Sequence, residues 1–322
     1  MKAVLVHENR PPQHRNAVVF CCDAKYLPYA ALAIHTLLRT TPDRAFDICI
    51  VSQERLEPPA AVANGDIRTC EVDVQSAFTG LPTSARFSHA AYLRIILAEV
   101  FEGVYDRILY LDCDTMVVGE DIGTIFSIDL HGAPVGAASD SLKLKRPGKS
   151  TFDQKNVGMT GSYFNSGVLL IDTGTFLDQQ IKEKCIAQFD KYGSDKLYFD
   201  QTVLNLALQR NWACLDLAWN WQWSVVRPMF EMYVNVQIIH FISDQKPWTD
   251  PAGKLPAAYR EVARRFLTTH YPDLEVKMGG YPRQLQVKKV ISVVLKHLFK
   301  APVFVRAYNK NGGDIRRALP PE

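Results

Sequence analysis

Two carboxylates, Asp112 and Asp114, follow the apolar run Ile108-Leu109-Tyr110-Leu111, with Cys113 between them. A short apolar run closed by acidic residues reads as a buried strand that delivers both carboxylates to its end. Side chains alternate along an extended chain, so Asp112 and Asp114 point the same way. Two adjacent carboxylates repel unless a proton or a cation neutralises them. Oxygen ligands with open positions suit Mn²⁺ or Mg²⁺, usually shared with a phosphate. A bare Asp-x-Asp can equally do no more than cap a turn, so its neighbours decide how it is read.

Four further groups carry chemistry. Asp23 closes the apolar run Val18-Val19-Phe20-Cys21-Cys22, and Tyr26 follows it. The carboxylate can accept hydrogen bonds from a base or ribose and the phenol can stack on a base, although both residues also suit an ordinary helix entry. Asn165 and Gly167 lead into another apolar stretch; the amide offers donor and acceptor, and glycine permits close backbone approach. Asp200 and Gln201 open a helical run, where Asp200 also suits the N-cap. His240 ends an apolar run and is followed by Ser243 and Lys246. Trp219, Trp221 and Trp223 alternate, so they would share one face of an extended segment. Indoles stack on sugars, but large aromatics are more often core. On the stacking reading, Asn220 and Gln222 would meet an acceptor from the opposite face.

These groups need elements to hold them. Strand patterns occupy residues 17–23, 46–52, 67–74, 104–111, 167–172 and 236–242. Helical patterns occupy 28–38, 90–101, 175–189 and 200–209. Such β-α-β alternation predicts an α/β fold with a largely parallel sheet and helices on both faces. Ligands then bind beyond the carboxyl ends of the strands, where Asp23, Asp112 and Asp114 fall. Residues 141–163 are polar and aperiodic, as a lid would be.

Composition sets limits. The 322 residues are 47% hydrophobic and 22% charged, which suits a folded chain with a full core. No apolar run is long enough to cross a bilayer, and the first residues lack the apolar stretch of a signal peptide. Seven cysteines without a Cys-x-x-Cys spacing read as reduced core residues in a reducing compartment. Residues 277–322 hold ten Lys/Arg against two acids, a net +8, leaving −5 on the rest. A nucleic-acid protein more often carries its basic residues on the folded body, so no nucleic-acid partner is expected. Val287, Ile291, Val294, Leu295 and Leu298 recur at helical spacing among the tail lysines, which suits an anionic membrane surface. The same stripe would also suit an ordinary terminal helix packed on the body.

In order and spacing the five motifs resemble family 8 glycosyltransferases over roughly residues 17–250. These are retaining nucleotide-sugar enzymes that include bacterial lipopolysaccharide galactosyl- and glucosyltransferases and glycogenin. The resemblance implies a GT-A fold, mostly parallel in its central sheet and flanked by helices. With the basic tail set apart, the chain is expected to divide into an N-terminal extension (1–16), a catalytic domain (17–265) and a basic helical segment (266–322). It implies transfer of a hexose, galactose or glucose, from a UDP-sugar to a saccharide or lipopolysaccharide-type glycolipid acceptor. By motif, Cys21, Asp23 and Tyr26 would bind uracil and ribose, and Arg94 and Cys113 would contact the donor. Asp112, Asp114 and His240 would hold Mn²⁺ (or Mg²⁺). Asn165 and Asp200 would bind sugar hydroxyls, with Gln201 near the anomeric carbon, and Ser243 and Lys246 would hold the diphosphate. Two departures stand out: relatives often carry glycine at position 243, and smaller residues at 21 and 22. The implied location is the cytoplasm, with docking on the inner face of the membrane. Two rivals are a haloacid-dehalogenase-like phosphatase built on Asp112 and Asp114, and a nucleotide-sugar-binding module without turnover.

Overall fold

The computed structural model describes residues 3–74, 90–140, 162–192, 200–223, 235–253 and 255–279, with a few isolated positions beyond these. The chain enters through β1 (Val4–Glu8) and β2 (Asn16–Cys21), then α1 (Leu27–Thr40), β3 (Asp47–Ser52), α2 (Ala60–Ala63) and β4 (Ile67–Asp73). Helix α3 (Ala90–Val100) leads to β5 (Arg107–Leu111), β6 (Thr115–Val117) and β7 (Val135–Ser139). The long strand β8 (Phe164–Asp172) precedes α4 (Thr173–Asp178), α5 (Ile181–Tyr192), α6 (Asp200–Leu208) and β9 (Ala213–Cys214). Last come β10 (Trp221–Gln222), β11 (Ile238–His240), β12 (Thr249–Asp250), α7 (Ala257–His270), β13 (Lys277–Met278) and β14 (Arg316–Arg317).

Nine strands form the main sheet in the order β1-β4-β3-β2-β5-β8-β7-β9-β14. The block β4-β3-β2-β5 is parallel, and β8 then runs antiparallel to both β5 and β7. β2, β3 and β5 are apolar on both faces because both faces are covered. Val18, Phe20, Leu109 and Leu111 point into one core with α1 and α7. Val19, Ile108 and Tyr110 point into the other, with α3, α5 and α6. Pro28 near the start of α1 has the backbone angle a first turn needs.

A second, three-stranded sheet, β10-β11-β6, matters most for the site. β6 leaves directly after Asp114 and pairs antiparallel with β11, placing His240 opposite Thr115. The Phe241 amide also donates to the Asp114 carbonyl at 3.0 Å. Chain positions more than a hundred residues apart are thereby joined at one point.

Several expectations need correction. The strand expected from Gly167 begins at Phe164, so Asn165 and Ser166 lie inside it. The helix expected over 175–189 is two helices, broken where Gln180 adopts φ +53°. Trp221 and Trp223 are core residues, as the commoner reading of large aromatics has it, and with Trp219 in a 3-10 turn (Leu217–Asn220) the alternative of a shared stacking face fails. The turn also carries Asn220 inward, so Asn220 and Gln222 are both buried rather than facing an acceptor. Position 265/266 falls within α7, whose Phe266 and Leu267 are buried. Residues 141–156, most of the expected lid, lie outside the described residues. In the tail, Ile291, Val294, Leu295, Leu298 and Phe299 are helical and exposed. No helix among the described residues is long and apolar enough to cross a membrane.

Candidate active site

Asp112, Asp114 and His240 bring one ligand atom each within 4.8 Å of one another. The outer oxygens of both carboxylates are anchored, which turns the inner ones towards the same point. Asp112 Oδ1 accepts from the Tyr110 hydroxyl at 2.5 Å and pairs with Arg94 at 2.9 Å. Its Oδ2 lies 3.7 Å from His240 Nε2. Asp114 Oδ2 accepts from Lys246 Nζ at 2.5 Å, and its Oδ1 lies 3.1 Å from His240 Nε2.

That last approach lacks hydrogen-bond alignment, so Asp114 Oδ1 is buried with no hydrogen-bond partner. Its nearest polar neighbour is the imidazole nitrogen, and a buried carboxylate oxygen facing that nitrogen at this distance fits a shared cation. Burial works against the Asp114 charge, but His240 and Lys246 outweigh it and hold the carboxyl well below the usual range. The group is therefore ionised at neutral pH, as a ligand must be. Two carboxylates and an imidazole suit a divalent ion of the harder or borderline type. Gly167 closes the cradle, because a Cβ there would lie 2.1 Å from His240 Cε1 and 2.6 Å from Asp112 Oδ2.

The cradle opens into a cavity of about 250 Å³ whose lining includes Arg94, Asn165, Ser166, Asp200 and Gln201. Arg94 rises from α3 and lies under Tyr110, 4.5 Å from the ring centre. Its Nε pairs with Asp200 at 3.0 Å, and Nη1 donates to the Ser166 carbonyl at 3.0 Å. Burial opposes the guanidinium charge, and Asp112 and Asp200 more than compensate. One cation thus ties the Asp112 carboxylate to that of Asp200. Burial pushes the Asp200 carboxyl up, with Arg94 opposing. Gln201 Oε1 accepts from Asn165 Nδ2 at 3.0 Å and from the Ser166 amide at 3.1 Å, while Nε2 donates to Asp140 at 3.3 Å.

On the other side, Asp23 Oδ1 accepts from the Tyr26 amide at 3.0 Å, shaping the entry to α1. Tyr26 is exposed; burial of part of its ring, then Asp114 and Asp23, push its phenol up. Cys21 and Cys113 are buried, and Cys113 Sγ reaches the Cys21 carbonyl at 3.6 Å. Burial pushes the Cys21 thiol up; Cys22 and burial do the same to Cys113, so neither offers a thiolate. Ser243 Oγ donates to the Gln245 carbonyl at 3.1 Å.

Residues 17–252 match the family model Glycosyl transferase family 8. The chain belongs to family 8 of the glycosyltransferases. Glycosyltransferase GlyF of Streptococcus pneumoniae is 28% identical over 309 residues, covering 88% of this chain and 71% of that protein. Lipopolysaccharide glucosyltransferase WaaO of Escherichia coli (strain K12) is 29% identical over 185 residues, 55% of this chain and 54% of WaaO. The galactosyltransferase LgtC, crystallised with donor and acceptor sugar analogues, shares the fold. Its TM-score is 0.62 at 24% identity, with 77% of this chain and 95% of LgtC covered.

Membership makes this family 8 chain a retaining glycosyltransferase with a GT-A fold and sets the phosphatase reading aside. Two contributors, Tyr110 and Asp140, were missed from sequence, and a third, Asn220, was given another role. Tyr110 anchors Asp112, Asp140 faces Gln201, and Asn220 bridges Asn165 and His240. The Tyr110 role was readable in principle, since period-two alternation puts Tyr110 and Asp112 on one face. Nothing local signals the other two.

Proposed function

We propose that this glycosyltransferase moves a hexose, galactose or glucose, from a UDP-sugar to a saccharide or lipopolysaccharide-type glycolipid acceptor. The convergence of Asp114 Oδ1, Asp112 Oδ2 and His240 Nε2 at one point beside Asp200 and Gln201 carries this reading. Bound there, Mn²⁺ or Mg²⁺ would neutralise charge growing on the diphosphate as the sugar–phosphate bond breaks. The protein's own groups supply the rest. Lys246 offers an ammonium to the leaving diphosphate, with Ser243 beside it. Asp23 and Tyr26 take the ribose and base, supported by the backbone at Cys21 and Cys113. Arg94, Asn165 and Asp200 orient the sugar, and the Gln201 carbonyl stabilises positive charge at the anomeric carbon.

Retention needs either a covalent sugar–enzyme intermediate or same-face attack. Asp200 Oδ2 is engaged by Arg94 and by the Ser166 hydroxyl at 3.3 Å. A carboxylate tied in this way binds better than it attacks, which favours same-face attack guided by the departing phosphate. The exposed apolar residues of the basic tail support docking on an anionic membrane surface. The chain would then work at the cytoplasmic face, where a lipid-linked acceptor is presented.

The test is a panel of UDP-sugars with and without Mn²⁺, read by thermal shift and by UDP release. The cognate donor at a hundredfold its Kd should stabilise the fold by about 2.7 kcal/mol, only with the ion, and should release UDP. Binding without release would instead support the non-catalytic module. No response to any UDP-sugar would overturn the donor assignment.

A further inference from the structure

Asn220 lies in the turn before β10, 1% exposed, directly behind His240. Its amide can be oriented without ambiguity. Gln201 Oε1 accepts from the Ser166 amide, so the Asn165 atom facing it is the NH₂ group. Asn165 Oδ1 in turn accepts from the Gly167 amide at 3.1 Å and from Asn220 Nδ2 at 2.8 Å. Asn220 therefore presents its carbonyl oxygen to His240 Nδ1, at 3.2 Å. A carbonyl only accepts, so Nδ1 must carry the hydrogen. In a neutral imidazole the other nitrogen then holds a lone pair. That nitrogen, Nε2, is the one facing Asp112 and Asp114.

We infer that Asn220 is a positioning residue that locks His240 in the Nδ1–H tautomer and so keeps Nε2 free to bind a divalent cation. The inference rests on the metal site of the proposed function and extends it to a residue behind the ligands. The hydrogen bonds form one directed chain, from His240 through Asn220, Asn165 and Gln201 to Asp140. Each amide donates onward and accepts from behind, so the ring orientation is fixed from the sugar side of the cavity.

Long-range ¹H–¹⁵N correlation spectra of the metal-free protein read the tautomer, with His240→Gln identifying the resonance. Mn²⁺ affinity is measured in parallel by electron paramagnetic resonance titration. Wild-type protein should show Nδ1–H. Asn220→Ala should lose that signature and bind Mn²⁺ roughly 10- to 100-fold more weakly, the usual loss for a partner behind a ligand. Asn220→Asp keeps an acceptor for Nδ1–H and should restore both the signature and most of the affinity. Retention of Nδ1–H and of Mn²⁺ affinity within twofold in Asn220→Ala would overturn the inference. So would failure of a folded Asn220→Asp protein to restore the tautomer. The tautomer is read without metal, so wild-type protein that shows Nδ1–H yet takes no Mn²⁺ overturns the metal site, not the orienting role of Asn220.

Discussion

Replacing Gly167 with alanine tests the cradle most directly. Gly167 sits in β8 beside the end of β5, and its carbonyl accepts from the Asp112 amide at 2.8 Å. An added Cβ would lie 2.1 Å from His240 Cε1, 2.6 Å from Asp112 Oδ2 and 2.7 Å from His240 Nδ1, where ordinary contact begins near 3.4 Å. The backbone is held on the β5 side by that hydrogen bond and by the pairing of Val168 with Leu111. His240 is backed by Asn220, and Asp112 is anchored by Tyr110 and Arg94. In an interior packed to crystal density the ring must shift by about 1 Å. Overpacking of this kind costs roughly 1–3 kcal/mol of stability, and a displacement near 1 Å costs about 100-fold in rate. Gly167→Ala should therefore melt a few degrees lower, keep its circular dichroism spectrum and bind Mn²⁺ at least tenfold more weakly. Its UDP release should fall about 100-fold. Gly174→Ala is the control, since a Cβ there meets nothing within 4 Å. Mn²⁺ affinity and turnover within twofold of wild type in Gly167→Ala would refute the convergence of the three ligand atoms over this glycine.

Other perturbations probe the supports. Arg94→Met leaves Asp112 and Asp200 without their shared partner and should cost about 3–5 kcal/mol in urea unfolding; a loss under about 1 kcal/mol would mean that the pairing is dispensable. The depressed Asp114 carboxyl contributes stability that is full above the unfolded carboxylate range, near pH 4, and fades as pH falls towards its folded value. Lys246→Met removes part of that depression, so its Tm deficit should shrink between about pH 5 and pH 2; a constant gap would contradict the pairing. Replacing the exposed Ile291, Leu295 and Leu298 with Gln should weaken binding to anionic liposomes while sparing hydrolysis of a soluble donor; equal liposome binding would reject the membrane role.

The parallel half of the sheet was legible because burial on both faces leaves a plain mark. β2, β3 and β5 read as unbroken apolar runs, and the carboxylates that end the first and last of them stand out against those runs. The boundaries of β8 were not legible. Asn165 and Ser166 are polar yet inside the strand, since their hydrogen bonds go to Gln201 and Arg94 rather than to water. Apolar periodicity registers burial by hydrophobicity and misses burial paid for by hydrogen bonds. The break between α4 and α5 was hidden for another reason. Gln180 carries φ +53° without being glycine or asparagine, so no residue type announced the end of a helix.

The same contrast explains which parts of the site could be read. Asp112, Asp114 and His240 are each marked by type and by position at a strand end, and Gly167 by its type alone. Their meeting depends on two antiparallel pairings, β5 with β8 and β6 with β11, whose registers no local pattern encodes. Asn220 shows how far that limit reaches. The stacking alternative for Trp219 and Trp221 would turn Asn220 towards an acceptor, yet the 3-10 turn rotates Asn220 inward, and its two hydrogen bonds link Asn165 to His240. A ligand must be chemically distinctive to do its work, so its type betrays it. A residue that orients a ligand needs only a carbonyl at the right place, and many side chains and the backbone itself supply one. Such residues become visible only when every buried donor and acceptor around the ligands has been given a partner. Among the atoms at this site, Asp114 Oδ1 is then the one without a hydrogen bond, where the proposed ion would sit.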